Sequence, residues 1–331
     1  MVFYHFGERG DNTMKELLSV SDLHTYFMTE RGVGKVVDGI SFRLLPGEVL
    51  GIVGESGSGK TMTALSLIRL LPPRARVVSG RVIFSGEDLL SLPEHRMRVI
   101  RGAEIGMVFQ EPMSSLDPVF TIGEQMVEAL RFKRGVKGKK AVDEALSYLS
   151  AAGIPEARRV FFSYPHELSR GMCQRAMIAL SLSLRPKLLI ADEPTTALDV
   201  TVQAGIIELL KGLVSSFSLS LIFISHDISL VGEIASRVLV LYGGWAMEEG
   251  SVDDILDRPL HPYTRALIAA EPGLDGELPE PLPGCLPDIF IKGEGCLFHP
   301  RCPEGEERCR YEIPPYRNIG GRKVRCFKVE G

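Results

Sequence analysis

Five short apolar runs recur along the first three quarters of the chain, and longer stretches of helical character separate them. The runs are rich in Val, Ile and Leu and cover residues 49–53, 105–109, 188–191, 221–224 and 238–241. Apolar runs of this length without polar alternation are typical of strands that are buried on both faces. Their alternation with helices favours a mostly parallel sheet. The pattern therefore predicts an α/β fold for residues 14–257.

The pattern changes near residue 258. Eleven of the 21 prolines lie from Pro259 onward, so chain breakers are much denser there. Because proline interrupts helices and removes a backbone donor, helices and strands should be short in this part. We therefore expect residues 258–331 to form a Cys- and Pro-rich C-terminal extension.

The N-terminal residues carry no targeting signal in their pattern. Glu8, Arg9 and Asp11 interrupt them, and the apolar core of a secretory signal is missing. We expect residues 1–13 to be a flexible extension, with Met14 as a candidate native start. No run of 18 or more apolar residues occurs, so the chain is not expected to span a membrane by itself and should be kept in the cytoplasm.

Composition excludes some classes of protein. The 331 residues are 45% hydrophobic and 24% charged, which allows a sizeable core and excludes general disorder. Lys and Arg number 38 against 42 Asp and Glu, for a net charge of -4. A dedicated nucleic-acid binder usually has a basic excess, so we expect no nucleic-acid partner. Residues 133–140, rich in Lys and Gly, form either a solvated loop or a local phosphate-binding patch.

The pattern Gly-x-x-x-x-Gly-Lys-Thr occupies residues 54–61, after the predicted strand 49–53 and before a helical stretch. This is the context of a phosphate-binding loop, or P-loop, whose glycines let successive N–H groups point at one phosphate. Lys60 would reach the β- and γ-phosphates and Thr61 would ligate Mg²⁺. The alternative is a glycine-rich turn with no ligand. The candidate residues are Gly54, Ser56, Gly57, Ser58, Gly59, Lys60, Thr61 and Met62.

Two adjacent carboxylates end the run 188–191. Asp192 would hold Mg²⁺ through water, and Glu193 would orient and polarise an attacking water as a general base. Taken alone, such a pair is more often a plain junction between a strand and a loop. Beside a P-loop, it predicts a site of nucleotide hydrolysis.

Further motifs follow in a fixed order: Gln110 after the run 105–109, Leu-Ser-Arg-Gly-Met at 168–172, Ala-Leu-Asp at 197–199, and His226 after the run 221–224. In this order they resemble the Q-loop, signature, D-loop and switch-histidine motifs of the ATPase subunits of ATP-binding cassette (ABC) transporters. The resemblance covers nearly the whole chain. It implies an ABC cassette with a RecA-like core, an antiparallel β subdomain and a helical subdomain at about 112–185.

The resemblance also implies roles for single residues. Catalysis would depend on Glu193, His226, Gln110 and Lys60, and Mg²⁺ would be held by Thr61, Gln110 and Asp192. An aromatic side chain, Phe27 or its neighbour Tyr26, would stack on adenine. In the family, ATP on one P-loop also contacts the signature of a second subunit. Ser169, Gly171 and Asp199 are therefore expected to serve ATP that is bound by a partner ATPase subunit.

Arg170 departs from the glycine that is usual in the signature, and Met172 from the commoner glutamine. Arginine adopts a positive φ at a higher cost than glycine, although a solvent-facing helix start tolerates it. If the position requires a positive φ, the signature should serve the opposing ATP less well. A degenerate cassette that binds ATP as a structural partner is the corresponding alternative, against which the presence of Glu193 and His226 argues.

Three longer segments resemble one branch of the family, the dipeptide and oligopeptide permease ATPases: residues 110–123, 164–169 and 261–267. The resemblance implies ATP-driven peptide import at the cytoplasmic face of the membrane. It implies a second, homologous but different ATPase chain, two membrane permease subunits and an extracytoplasmic peptide-binding protein. Residues 111–123 would receive a short helix of a permease subunit, or form a loop that packs only on its own domain. Nickel and some sugars are alternative cargoes.

Five of the six cysteines lie in the last 47 residues. Cys296, Cys302, Cys309 and Cys326 are separated by five, six and sixteen residues, and a cytoplasmic location disfavours disulfides. The extension is short of apolar residues, so a metal staple is attractive. Spacing alone slightly favours zinc, with His299 as a substitute ligand; reduced thiols are a further alternative. C-terminal extensions of some peptide-permease ATPases bind 4Fe-4S clusters through this pattern, and the resemblance therefore implies such a cluster here.

Overall fold

A computed structural model describes residues 16–271 and 282–329. The predicted N-terminal extension, residues 1–13, lies outside the described residues. The strands are β1 Leu18–Thr29, β2 Gly32–Leu44, β3 Val49–Val53, β4 Ala75–Phe84, β5 Glu87–Asp88, β6 Ile105–Val108, β7 Leu188–Asp192, β8 Ser220–Ser225, β9 Arg237–Tyr242, β10 Trp245–Ser251, β11 Tyr316–Ile319 and β12 Arg322–Arg325.

Helices alternate with these strands through most of the cassette. They are α1 Lys60–Leu67, α2 Glu94–Ala103, α3 Pro112–Ser115, α4 Ile122–Arg134, α5 Lys139–Ala151, α6 Ala157–Phe161, α7 Arg170–Ser183, α8 Val200–Phe217, α9 Ile228–Ile234, α10 Val252–Asp257, α11 Pro262–Ala269 and α12 Arg308–Tyr311, with 3₁₀ turns at Pro165–Glu167 and His299–Arg301. Lys133 lies in the last turn of α4, which ends at Arg134, and Lys140 lies in the first turn of α5, which begins at Lys139, so only residues 135–138 of the segment 133–140 form a loop.

The main sheet contains all five strands that the apolar runs predict. Among the described residues it has eight strands in the order β11-β12-β10-β9-β3-β8-β7-β6. The five predicted strands, β9, β3, β8, β7 and β6, are mutually parallel, whereas β10 to β12 join antiparallel at one edge. Every residue of β3, β7 and β8 is buried, as runs without polar alternation predict.

A second sheet and a group of helices complete the cassette. The second sheet is antiparallel, in the order β2-β1-β4-β5. Its inner face packs on one side of the main sheet, against residues of β3 such as Leu50 and Ile52. On the other side, α4, α5 and α7 share a core with β6 and β7. Parallel strands that carry helices on their faces bring their carboxyl ends, and the loops after them, to one edge.

The C-terminal extension packs onto the cassette. Its buried side chains Leu297 and Phe298 belong to the core cluster of the main sheet, and β12 pairs with β10. Phe298 packs against Tyr242 and Tyr263, with ring centroids 5.3 Å away in both cases. The extension therefore shares the core of the cassette and has side chains buried against the main sheet.

Helix α8 is, within the described ranges, the only helix that is long and apolar enough to cross a membrane, with a mean hydropathy of 1.3 over 18 residues. It contains Glu208 and Lys211, which pair at 2.8 Å, so it is not an uninterrupted apolar run. Its buried residues Ile206, Ile207, Leu210 and Leu213 pack in the core of the cassette.

Candidate nucleotide-binding site

The segment 54–61 forms the turn from β3 into α1. A Cβ atom at Gly54, where φ is +149°, would lie 2.2 Å from the carbonyl oxygen of Leu241, and one at Gly59, where φ is +104°, would lie 2.6 Å from that of Val36. The neighbouring backbone therefore requires glycine at both positions. No side chain caps α1, and the hydroxyl of Ser58 is buried without a hydrogen-bond partner among the described residues. The loop thus combines an uncapped helix N-terminus with a buried, unpaired hydroxyl.

Lys60 lies across this loop. Its Nζ donates to the carbonyl oxygens of Gly54 at 2.7 Å and Glu55 at 3.1 Å, and lies 3.6 Å from Oε1 of Glu193. Burial lowers the pKa of Lys60, while the nearby carboxylates act in the opposite direction. The ammonium group is therefore held by two backbone oxygens, with the carboxylate of Glu193 nearby.

Asp192 lies opposite the start of α1. Its Oδ1 accepts a hydrogen bond from Oγ1 of Thr61 at 3.1 Å. Burial raises the pKa of Asp192 to about 6, and the bond from Thr61 acts against that rise. The two residues place a hydroxyl and a carboxylate side by side, which are oxygen donors of the kind that Mg²⁺ prefers.

Glu193 is the centre of the site. Its Oε2 accepts hydrogen bonds from Nε2 of Gln110 at 3.0 Å and from Oγ1 of Thr196 at 2.9 Å, and lies 3.4 Å from Nδ1 of His226. The contact with His226 is the main reason that the pKa of Glu193 falls to about 2, and the same contact raises the pKa of His226. The structure therefore brings together the four residues that were predicted to be catalytic, Gln110, Glu193, His226 and Lys60.

Two features of Glu193 were not predicted. Thr196 was missed, and its position three residues after Glu193 is the only signal that pointed to it. Glu193 also has a φ of +45°, which costs energy for a residue with a Cβ. The positive φ thus falls at the residue whose carboxylate contacts Gln110, Thr196 and His226.

The aromatic candidates lie on opposite faces of β1. Thr25 faces α1, where it shares a 2.7 Å hydrogen bond with Ser66, and Phe27 has the same orientation because strand residues two apart share a face. Phe27 and Met62 pack against one apolar cluster. Tyr26 points the other way, and its hydroxyl donates to Oδ1 of Asp38 at 2.8 Å. Phe27 is therefore the aromatic side chain on the P-loop side.

The signature residues lie apart from the P-loop. Ser169 caps α7 by accepting from the N–H of Met172 at 3.3 Å, and Asp199 caps α8 by accepting from the N–H of Val202 at 2.9 Å. A Cβ atom at Gly171 would lie 2.8 Å from a methyl group of Val202. The two helix starts thus pack together. Within the described ranges, no hydrogen bond or ion pair joins Ser169, Gly171 or Asp199 to residues 54–61.

Arg170 does not carry the backbone strain that a required positive φ would impose. It is the first residue of α7 and does not have a positive φ, because a first helical turn has right-handed geometry. Its Nη2 donates to Oε1 of Glu111 at 2.6 Å. The expected conflict between arginine and the signature conformation is therefore absent in this chain.

The four cysteines of the predicted cluster have free thiols. Burial raises the pKa of Cys296 to about 11, and the neighbouring thiols of Cys309 and Cys302 add to that rise. The pKa of Cys326 is also raised, first by burial, with Cys309 contributing. In the part of the chain that the structure describes, no group of three or more Cys, His, Asp or Glu side chains is arranged to hold a metal ion.

The segment after Gln110 exposes apolar side chains. Met113, Val119 and Phe120 are 40%, 69% and 47% exposed. Phe120 also lines a surface cavity of about 280 Å³ together with Glu124, Val127, Glu128 and Arg131 of α4.

Comparison with known proteins agrees with this architecture. The sequence model of a family described as "ABC transporter" matches residues 37–196, and that of "Oligopeptide/dipeptide transporter, C-terminal region" matches residues 247–309. The dimeric ATP-binding cassette MJ0796, solved in a post-hydrolysis state with ADP and Pi, superimposes with a TM-score of 0.65 at 27% identity, over 71% of this chain and 98% of that one.

The relatives are similar over almost their full length. The oligopeptide transport ATP-binding protein AppD of Bacillus subtilis is 44% identical, over 96% of this chain and 98% of its own. The dipeptide transport ATP-binding protein DppD of Haemophilus influenzae is 46% identical, over 94% of each chain. The fold and the site define a nucleotide-binding cassette of the ABC type. The chain belongs to the ABC transporter family, in the branch of the oligopeptide and dipeptide transport ATP-binding proteins.

Proposed function

We propose that this chain is the ATP-hydrolysing subunit of an importer that takes up dipeptides or oligopeptides across the cytoplasmic membrane. The observation that carries the proposal is the convergence of Gln110, Thr196 and His226 on Oε2 of Glu193, beside the P-loop lysine. These groups come from separate segments of the chain, and a structural role alone does not explain why they meet at one carboxylate.

The P-loop binds the phosphates of ATP. Lys60 meets the β- and γ-phosphates, while the backbone and hydroxyls of the loop surround them; the residues are Gly54, Ser56, Gly57, Ser58, Gly59, Thr61 and Met62. Phe27 stacks on the adenine ring, since it lies on the α1 side of β1. The unpaired hydroxyl of Ser58 supports this assignment, because a buried polar group without a partner is costly unless a ligand satisfies it.

Glu193 orients and activates the attacking water. With its pKa held at about 2, it is ionised at neutral pH and can accept a hydrogen bond from water. Gln110 and Thr196 fix the direction of the carboxylate. His226, which is half exposed, lies with Nδ1 3.4 Å from Oε2 of Glu193 at the edge of the site, and we propose that it contacts the γ-phosphate.

The donors around Asp192 fit Mg²⁺. Thr61 and Asp192 already touch through oxygen atoms, and Gln110, whose amide nitrogen donates to the neighbouring Glu193, also carries an amide oxygen. Bound there, Mg²⁺ supplies positive charge against the phosphate oxygens. Asp192 must be ionised for this role, which its raised pKa still allows at neutral pH.

A second ATPase subunit completes the site. Ser169, Gly171 and Asp199 lie at the starts of α7 and α8, apart from the chain's own P-loop, which supports a role in contacting ATP that a partner subunit binds. Solved relatives of this fold are described as dimers. We propose a head-to-tail pair with a homologous but different chain, in which ATP forms part of the interface.

The membrane subunits dock on the segment after Gln110. Its exposed apolar residues Met113, Val119 and Phe120, with the neighbouring cavity on α4, suit a short amphipathic helix. Two permease subunits would place the chain at the cytoplasmic face of the membrane, and an extracytoplasmic binding protein would deliver the cargo. The relatives are oligopeptide and dipeptide transport ATP-binding proteins, which favours peptide as that cargo over nickel or sugar.

A 4Fe-4S cluster held by Cys296, Cys302, Cys309 and Cys326 is the finer part of the proposal. Four thiols match the donor set of such a cluster, and the thiols of Cys309 and Cys302 lie near enough to Cys296 to contribute to its raised pKa. Backbone N–H groups of Phe298 and His299 favour the thiolate of Cys296, as those of Lys328 and Val329 do for Cys326. A bound cluster would staple β12 and the turn at His299–Arg301 to each other.

Reconstitution tests the transport role. The chain should co-purify with two permease subunits, and a peptide-loaded binding protein should stimulate the ATPase activity of that complex. Lys60→Ala serves as the inactive control. Soluble activity without stimulation would count against the proposal, and stimulation only by a nickel- or sugar-loaded binding protein would reassign the cargo.

Anaerobic purification tests the cluster. Brown protein with about four iron atoms and matching sulfide per chain is expected. Colourless protein with one zinc per chain would overturn this part of the proposal while leaving the transport role intact.

A further inference from the structure

A buried arginine of the C-terminal extension contacts the P-loop. Arg301 ends the 3₁₀ turn His299–Arg301, and its side chain is 3% exposed. Nη1 donates to Oε1 of Glu55 at 2.9 Å and Nη2 to Oε2 at 3.1 Å, so the pair is bidentate. This geometry gives an arginine–carboxylate pair both strength and a fixed direction.

The extension in turn fixes the position of Arg301. Its Nε donates to the carbonyl oxygen of Pro283 at 2.7 Å, and its guanidinium lies 5.7 Å from the ring centre of Tyr242. The turn that carries it stands between Cys296 and Cys302 and is closed by successive backbone hydrogen bonds. Arg301 therefore links Glu55 to the extension, so that the position of one depends on that of the other.

Glu55 of the P-loop has hydrogen-bond partners at its carboxylate, its N–H and its carbonyl oxygen. Arg301 binds its carboxylate, the hydroxyl of Tyr263 accepts from its N–H at 3.0 Å, and Nζ of Lys60 donates to its carbonyl oxygen at 3.1 Å. Two of these three groups come from the region after residue 260. The third is the lysine that is expected to meet the phosphates.

We infer that Arg301 is a positioning residue for nucleotide binding, which acts by holding Glu55 and thereby the P-loop and Lys60 in the shape that receives phosphates. The inference rests on the proposed ATP site. A loop that is already ordered loses less conformational entropy on binding, so its ligand binds more tightly. Because Glu55 does not itself offer its carboxylate to an anion, the effect of Arg301 must pass through loop geometry and should appear in affinity more than in turnover.

The test uses the full chain with Mg²⁺ and a fluorescent ATP analogue. Arg301→Met keeps the length of the side chain and removes its charge, and should weaken analogue binding about tenfold, which corresponds to about 1.4 kcal/mol. In the assembled transporter, KM for ATP should rise by a similar factor while kcat at saturating ATP stays within about twofold. The matched control is Arg265→Met, which removes another arginine–glutamate pair, with Glu304, at an exposed position of the same region.

A double-mutant cycle separates positioning from general stabilisation. Glu55→Gln alone should weaken binding, and Arg301→Met should add less than about twofold in the Glu55→Gln background. If Arg301→Met weakens binding equally in both backgrounds, or if Glu55→Gln and Arg301→Lys both bind the analogue as tightly as the wild type, the inference is wrong. If Arg301→Met does not fold, analogue binding by Glu55→Gln and Arg301→Lys still tests the inference. Failure of the wild type to bind ATP would instead overturn the proposed function.

Discussion

Arg170 and Glu111 join the signature to the Q-loop within one chain. Nη2 of Arg170, the first residue of α7, lies 2.6 Å from Oε1 of Glu111, the residue after Gln110. A cation at a helix N-terminus is unfavourable with respect to the helix dipole, and the carboxylate of Glu111 offsets that cost. The pair therefore explains how an arginine is accommodated where glycine is usual.

Arg170→Gly should change little. The backbone at 170 is already helical without a positive φ, and an ion pair as exposed as this one contributes about 0–1 kcal/mol to the free energy of unfolding. We expect ATPase turnover of the assembled complex to stay within about threefold of the wild type. Arg159→Ala, at another exposed pair, is the control for loss of charge. A tenfold rise in turnover would show that Arg170 obstructs the site, contrary to this account.

Glu193→Gln should uncouple binding from hydrolysis. Glutamine retains the contacts with Thr196 but cannot act as a base, so turnover should fall by about 10²-fold or more while ATP affinity is kept. Glu156→Gln is a matched control, because Glu156 also has a positive φ, of +54°, and is exposed. Turnover and nucleotide affinity, measured on both variants, test whether Glu193 acts as the base. A loss of less than tenfold would remove Glu193 from the role of base.

Asp192 should make the nucleotide-free protein less stable as pH rises. Its folded pKa, about 6, lies above the ordinary value of 3.8, so the folded state binds the proton more tightly. The stabilisation is therefore complete below about pH 4 and is lost as pH rises through 6, by up to about 3 kcal/mol. Asp192→Asn should gain thermal stability over the wild type increasingly between pH 5 and 7.

The same ionisation should control Mg²⁺. In the wild type, Mg²⁺-dependent ATP affinity should weaken as pH falls below about 6, whereas in Asp192→Asn it should be weak throughout. Asp257→Asn, at an exposed site, should follow the wild type in both measurements. A stability difference between Asp192→Asn and the wild type that does not change with pH would contradict the prediction.

Sequence pattern predicted the parallel strands and the motifs but not the contacts between them. β3 and β7 to β9 were readable because strands buried on both faces need uninterrupted apolar residues. The hairpin of β11 and β12 was not, since it is short, polar and stabilised by pairing with β10. Arg301 and Glu55 are 246 residues apart, and no motif links them. Such pairs depend on how the chain folds back on itself, which local periodicity does not encode.

Substitutions of Phe27 and Tyr26 on β1 should show which of the two side chains stacks on adenine and which only stabilises the fold. Phe27 shares the face of β1 that packs towards α1, so Phe27→Ala should raise KM for ATP by at least about fivefold, given that stacking on a base contributes about 1–3 kcal/mol. Phe27→Tyr retains a ring and should restore the wild-type KM. Tyr26→Phe loses the hydrogen bond to Asp38 and the 3.1 Å contact of the hydroxyl with Nδ1 of His24, so it should lower thermal stability and leave KM unchanged. Steady-state ATPase kinetics with thermal melts decide between the two residues: a raised KM in Tyr26→Phe, with Phe27→Ala unaffected, would assign adenine to Tyr26.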